Sequence, residues 1–155
     1  MTEQLSPLAL QALAVVEESG AIIGANHAHP HTIRHKGRID LVTETDIAVE
    51  AFLKERLATL APQAGFLAEE SAEDLSLPDT CWIIDPVDGT TNFAHGLPLT
   101  VTSVAYRLNG EIVLGIVNAP LLRECFIAEK GKGAWRNGER ISVSSVTACE
   151  NALVA

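Results

Sequence analysis

With 155 residues, 47% of them apolar, the chain is long enough for one domain with a real hydrophobic core. Its formal net charge of −9 speaks against nucleic acid as a direct partner. Cys81, Cys125 and Cys149 are odd in number and widely spaced, which excludes a disulfide framework or zinc site and predicts a reducing, cytoplasmic setting.

The N-terminal Met1-Thr2-Glu3-Gln4 is acidic and no cleavable apolar core follows, so no signal peptide is expected. No apolar run reads as long enough to span a bilayer, and no membrane partner is expected. Ser6-Pro7 reads as an N-cap followed by proline at the first helical position. The helix is predicted to run through Leu10, Leu13 and Val16 toward Ile23, with an apolar face at helical spacing. His27, His29, His31 and His35 alternate along a predicted loop without a cysteine or carboxylate at ligand spacing, and are read as solvated rather than metal-binding.

Next comes Lys36-Gly37-Arg38-Ile39-Asp40-Leu41-Val42-Thr43-Glu44-Thr45-Asp46, at the entrance to a second helix. Thr43 or Thr45 suits the N-cap, and Asp46 in the first turn faces the positive end of the helix dipole. That helix is expected to bury Ile47, Leu53, Leu57 and Leu60 and to end at Pro62. Gly65-Phe66-Leu67-Ala68 then reads as a short apolar strand that ends in the carboxylates Glu69 and Glu70. Such oxygens suit Mg²⁺, which prefers octahedral oxygen coordination and often shares substrate phosphate oxygens.

Trp82-Ile83-Ile84 is a core strand leading into Asp85-Pro86-Val87-Asp88-Gly89-Thr90-Thr91-Asn92-Phe93. Asp85 precedes a proline and is expected to end the strand. Gly89 and Thr90 then present free N–H groups at a helix N-terminus, a ready anion site. Carboxylates for hard cations beside N–H groups for an anion point to metal-assisted phosphate chemistry. Strands follow at Val101 to Leu108, Glu111 to Val117 and Cys125 to Ala128, with Asn109-Gly110 and Asn137-Gly138 as two-residue hairpin turns. Lys130 and Lys132 read as solvated hairpin residues. Helices first and antiparallel strands later predict a layered α+β fold, with helices packed on an antiparallel sheet.

The segment Asp85 to Phe93 closely resembles the signature of the inositol monophosphatase family of lithium-sensitive, Mg²⁺-dependent phosphatases. Glu69-Glu70-Ser71, Asp40 to Asp46, and Lys130-Gly131-Lys132-Gly133-Ala134 with Asn137-Gly138 resemble further motifs of that family, in order. The resemblance implies the N-terminal portion of the layered sugar-phosphatase fold, with residues 1–155 as a single metal- and phosphate-binding domain and the family's C-terminal substrate domain absent. It implies that Glu69, Asp85 and the backbone carbonyl of Val87 hold a first metal, that Asp85 bridges to a second, and that Asp88 binds the second. Gly89 and Thr90 would receive the phosphate on backbone N–H groups, while Asp46 and the Thr90 hydroxyl orient the attacking water. Glu70 would act behind these ligands or through a water, and Lys36 matches a loop lysine near the site.

The implied reaction is Mg²⁺-dependent hydrolysis of a small phosphate monoester, foremost inositol monophosphate, by a homodimer. The other readings are a sugar or nucleotide phosphatase of the same fold, or a non-catalytic protein that binds a protein partner. One departure favours the last: the family carries a further C-terminal aspartate ligand, whereas the last aspartate here is Asp88 and Trp135 is followed by Arg136. The family pattern is expected to continue for roughly another hundred residues past the apolar Ala152-Leu153-Val154-Ala155.

Overall fold

A computed structural model describes residues 5–27, 33–35, 41–71 and 77–153. Two helices, α1 (Pro7–His27) and α2 (Glu44–Leu60), precede a seven-stranded sheet of order β3-β4-β5-β6-β7-β8-β9. Its strands are β3 (Gly65–Ala68), β4 (Cys81–Asp88), β5 (Val101–Leu108), β6 (Glu111–Ala119), β7 (Glu124–Glu129), β8 (Gly133–Arg136) and β9 (Glu139–Ile141). A two-stranded ribbon, β1 (Ile33–His35) with β2 (Leu41–Thr43), leads into α2, and a short helix α3 (Thr90–Ala94) follows β4.

From β4 to β9 the sheet is an antiparallel meander, whereas β3 pairs with β4 in parallel, so the sheet is mixed. Asn109 and Gly110 both have positive φ, 52° and 86°, as do Asn137 and Gly138 at 49° and 80°. Those are the dihedral signs of a tight hairpin whose twist matches its strands, and they fix the register of the flanking pairs.

Period-two alternation sends Thr102, Val104 and Tyr106 of β5 to the helix side of the sheet. There they meet Trp82 and Ile84 of β4, Leu114 and Ile116 of β6, and the helices, in one continuous core. From α2 the core takes Val49, Leu53 and Leu57; from α1 it takes Ala9, Ala12, Val16 and Ile23. Leu10 and Leu13, on the expected apolar face, are half-buried and pack against this core from its margin. Small residues win that face because α1 lies tight on the end of β6: a Cβ on Gly20 would come within 2.8 Å of the Asn118 side chain and 2.9 Å of Pro120. Ile47 is corrected, being 49% exposed, because the buried face of α2 is turned toward Asp46 and Glu50.

The expectation that no segment was long enough to cross a bilayer is also corrected. By length and composition α1 passes, with 21 residues and a mean hydropathy of 1.4 over its most apolar 18, yet its small-residue face is packed in the core. Ser6 does cap it, its Oγ accepting the Ala9 N–H at 3.2 Å. Lys130 and Lys132 pair with Glu111 and Glu129, and the three cysteines are free thiols. On the side of the sheet away from the helices, Ser103, Ala105, Val117, Phe126, Ala128 and Ile141 line an open apolar depression of about 280 Å³.

Candidate metal and phosphate site

The site forms where β3 and β4 end against the start of α2. Parallel pairing sets Ala68 opposite Ile84, and the Glu69 N–H continues the ladder by donating to the Ile84 carbonyl at 3.1 Å. That register puts Glu69 beside Asp85, which unites two clusters sixteen residues apart in sequence.

Asp85 was expected to end its strand; instead β4 continues to Asp88 through an irregularity. Asp85 pairs with Ser103 and Asp88 with Val101, so β4 spends three steps where β5 spends two, which is a β-bulge. Pro86 has no N–H to give the ladder, and three threonine hydroxyls serve the bulge carbonyls instead. Thr102 Oγ1 donates to Pro86 O at 2.9 Å, Thr90 Oγ1 to Val87 O at 2.9 Å, and Thr100 Oγ1 to Asp88 O at 2.8 Å. Thr100 and Thr102 are buried, and neither was singled out in the sequence, where each reads as an ordinary β-branched strand residue.

Gly89 then turns the chain at φ 89°, ψ 34°, and a Cβ there would lie 2.8 Å from the Leu99 carbonyl oxygen. Only glycine fits that left-handed, close approach. Gly89 caps α3 without a side-chain hydrogen bond, so Thr90 stands in an N-terminal turn whose first N–H groups lack a side-chain acceptor.

Thr43 caps α2 and forms a capping box with Asp46: its N–H donates to Asp46 Oδ2 at 2.9 Å and its hydroxyl donates to the same oxygen. The other oxygen, Asp46 Oδ1, lies 3.1 Å from Thr90 Oγ1. Asp46 is therefore a helix cap and a site residue at once, only 1% exposed. A hydroxyl has one proton, which Thr90 gives to Asp46 or to the Val87 carbonyl, and its oxygen keeps a lone pair for a water O–H.

Asp85 is the electrostatic centre. Burial first, then the charge of Glu69 and a hydrogen bond shared with it, then Asp88 and Asp46, push its carboxyl up to about 7. Its Oδ1 is buried and has no hydrogen-bond partner. As they stand, no three carboxylate, imidazole or thiol groups among the described residues meet as metal ligands. Glu69 lies within hydrogen-bonding reach of Asp85, and two carboxyl groups that close repel unless a proton or a cation lies between them. The orphaned oxygen, the raised pKa and the all-oxygen donor set fit a hard divalent cation.

The Glu70 N–H donates to Glu50 Oε2 at 2.8 Å. Glu50, 4% exposed, is a site neighbour that the sequence reading passed over. Its signal was its place four residues after Asp46, in phase with the buried Leu53 and Leu57. Lys36, and with it the side chain of His35 and His29 and His31, lies outside the described residues. The Nδ1 of His27 is buried without a partner, and its ring packs 5.8 Å from that of Phe93.

Comparison with known proteins agrees with this architecture. The sequence model of the Inositol monophosphatase family matches residues 4–155. An inositol monophosphatase of Dictyostelium discoideum is 45% identical over 148 residues, 93% of this chain and 54% of the relative. A fructose-1,6-bisphosphatase/inositol-1-monophosphatase of Thermotoga maritima is 44% identical over 114 residues, 74% of this chain and 44% of the relative. Among solved structures, the extragenic suppressor protein suhB of Bartonella henselae superposes with a TM-score of 0.84 at 33% identity, covering 91% of this chain and 56% of that one. The chain thus spans about half the length of the curated relatives it matches.

Proposed function

The chain belongs to the inositol monophosphatase family, and on that premise we propose that it is the metal- and phosphate-holding part of a Mg²⁺-dependent phosphomonoesterase. Glu69, Asp85, the Val87 carbonyl and Asp88 would hold Mg²⁺, with Asp85 shared between two ions. When bound, Mg²⁺ supplies a Lewis acid for the phosphoryl oxygens and lowers the pKa of water.

The chain's own residues do the rest. Asp46, fixed by two donors from Thr43, keeps Oδ1 facing the Thr90 hydroxyl. With its proton committed to Asp46 or Val87, Thr90 accepts from a water and orients it. Gly89 and Thr90 offer N–H groups to the phosphate at the start of α3. The observation that carries this reading is the partnerless Asp85 oxygen beside Glu69.

Inositol monophosphate is the substrate we favour, and the name of the Thermotoga relative keeps a sugar bisphosphate as the second candidate. The pocket for the leaving group is expected outside residues 1–155. The second reading, a binding role without turnover, is supported by the name of a Nus factor SuhB relative from Salmonella typhimurium, 33% identical over 154 residues. In the 155-residue chain the first Mg²⁺ is expected to bind more firmly than a second, because Glu69, Asp85 and the Val87 carbonyl would all serve the first. Calorimetric titration with Mg²⁺ should show one tight site with release of a proton near pH 7, lost in Asp85→Asn. Phosphate release from inositol 1-phosphate, with and without Li⁺, then separates enzyme from binding protein. Two equally tight Mg²⁺ sites, or Mg²⁺ uptake untouched by Asp85→Asn, would contradict the assignment.

A further inference from the structure

We propose that Glu50 is a positioning residue: its buried carboxylate, by accepting the Glu70 N–H, sets the place of Glu69 and so the affinity of the site for Mg²⁺. The inference rests on the reading of Glu69 and Asp85 as metal ligands.

Glu69 stands at the end of β3, an edge strand paired on one side only. Its own N–H is tied to Ile84 of β4 at 3.1 Å, and the next N–H, that of Glu70, is tied to Glu50 Oε2 at 2.8 Å. The two peptide planes that flank the Glu69 Cα are thus each pinned, which leaves Glu69 little more than its side-chain torsions. Lys54, one turn further along α2, reinforces the clasp. Its Nζ lies 3.9 Å from Glu50 Oε1 and donates to Ser71 Oγ at 2.9 Å.

A glutamate 4% exposed pays for its desolvation only if its oxygens are used, and here they are. The same helix carries Asp46 toward Thr90 and Val87. With Asp46 and Glu50 one turn apart, α2 acts as a rigid ruler between the two sides of the site. Groups that hold a metal ligand in place typically govern affinity by about 10–100-fold.

Two conservative variants separate position from charge. Glu50→Gln keeps the reach and an acceptor oxygen but removes the charge; Glu50→Asp keeps the charge but withdraws the acceptor from Glu70. Mg²⁺ titration of the 155-residue chain should give Glu50→Gln within about threefold of wild type and Glu50→Asp weakened about tenfold. Amide hydrogen exchange read at Glu70 should be slow in wild type and Glu50→Gln and fast in Glu50→Asp. Leu57→Ala, on the same helix but away from the site, should lower stability and leave the Mg²⁺ affinity alone. An affinity that is normal in Glu50→Asp, or that falls in Glu50→Gln and not in Glu50→Asp, overturns the inference. If Asp85→Asn loses Mg²⁺ while every Glu50 variant binds normally, only the role of Glu50 fails. If wild type and Asp85→Asn alike take up no Mg²⁺, the reading of the site fails, and this inference with it.

Discussion

The meander from β5 to β9 and the corner where β3, β4 and α2 meet are built on opposite terms. In the meander every strand pairs with its neighbour in sequence, two Asn-Gly turns fix the register, and apolar residues alternate inward. At the corner the pairing is parallel, the ladder bulges at a proline, and three acidic groups crowd around a fourth, Asp85, with its buried oxygen. The meander stores stability, whereas the corner holds like charges together, a repulsion that the cation proposed there would relieve.

Truncation in the first region should therefore cost most. Ile116→Ala, at a side chain 1% exposed, is expected to lose about 2–5 kcal/mol in urea unfolding. Next comes Gly89→Ala, which forces a Cβ against the Leu99 carbonyl at positive φ. It should cost about 1–3 kcal/mol and weaken phosphate binding together with it, measured by thermal unfolding and by isothermal titration.

The third test reverses the sign. Asp85→Asn removes a charge from the crowd, so above pH 7 the metal-free variant should melt no lower than wild type, although it loses Mg²⁺ binding. A large fall in melting temperature would mean that the corner is as optimised as the meander.

The smallest effect is a pH slope. The Asp85 carboxyl is raised to about 7 when folded, above the ordinary 3.8. Between those values the folded chain holds a proton that the unfolded chain has lost, so stability is full at low pH and declines as pH rises toward 7. Saturating Mg²⁺ should flatten or invert that slope in calorimetric scans, and Asp85→Asn should abolish it.

The two regions also differ in how far the sequence discloses them. Turn chemistry and period-two alternation place β5 at Val101–Leu108 and both hairpins without error, because each rests on local rules. The motifs we propose as ligands are legible as well, through strand ends, glycine and the N-cap pattern of Thr43 and Asp46. What stays hidden is non-local. Pro86 reads as a strand terminus because the threonines that hold the bulge open come from β5, the residue just before it, and α3. Direction of pairing leaves no mark in the short run Gly65–Ala68, so the parallel register that unites Glu69 with Asp85 had to be seen. Glu50 passes for a solvated member of an i,i+4 pair with Lys54 until the turn after β3 is packed upon it. Ile47 misleads for a related reason: hydrophobicity alone does not say which helix face has room for bulk.

The parallel seam between β3 and β4 has a kinetic consequence. Hairpins with two-residue loops close quickly, whereas Gly65 meets Cys81 only after a loop of fifteen intervening residues is closed. The meander should assemble early and the edge strand dock late, after the rate-limiting barrier. A cation held by Glu69, as proposed, would find its full set of donors only on the native side of that barrier. Mg²⁺ is accordingly expected to leave the folding arm of a chevron almost unchanged and to slow the unfolding arm, acting as a lock rather than a template.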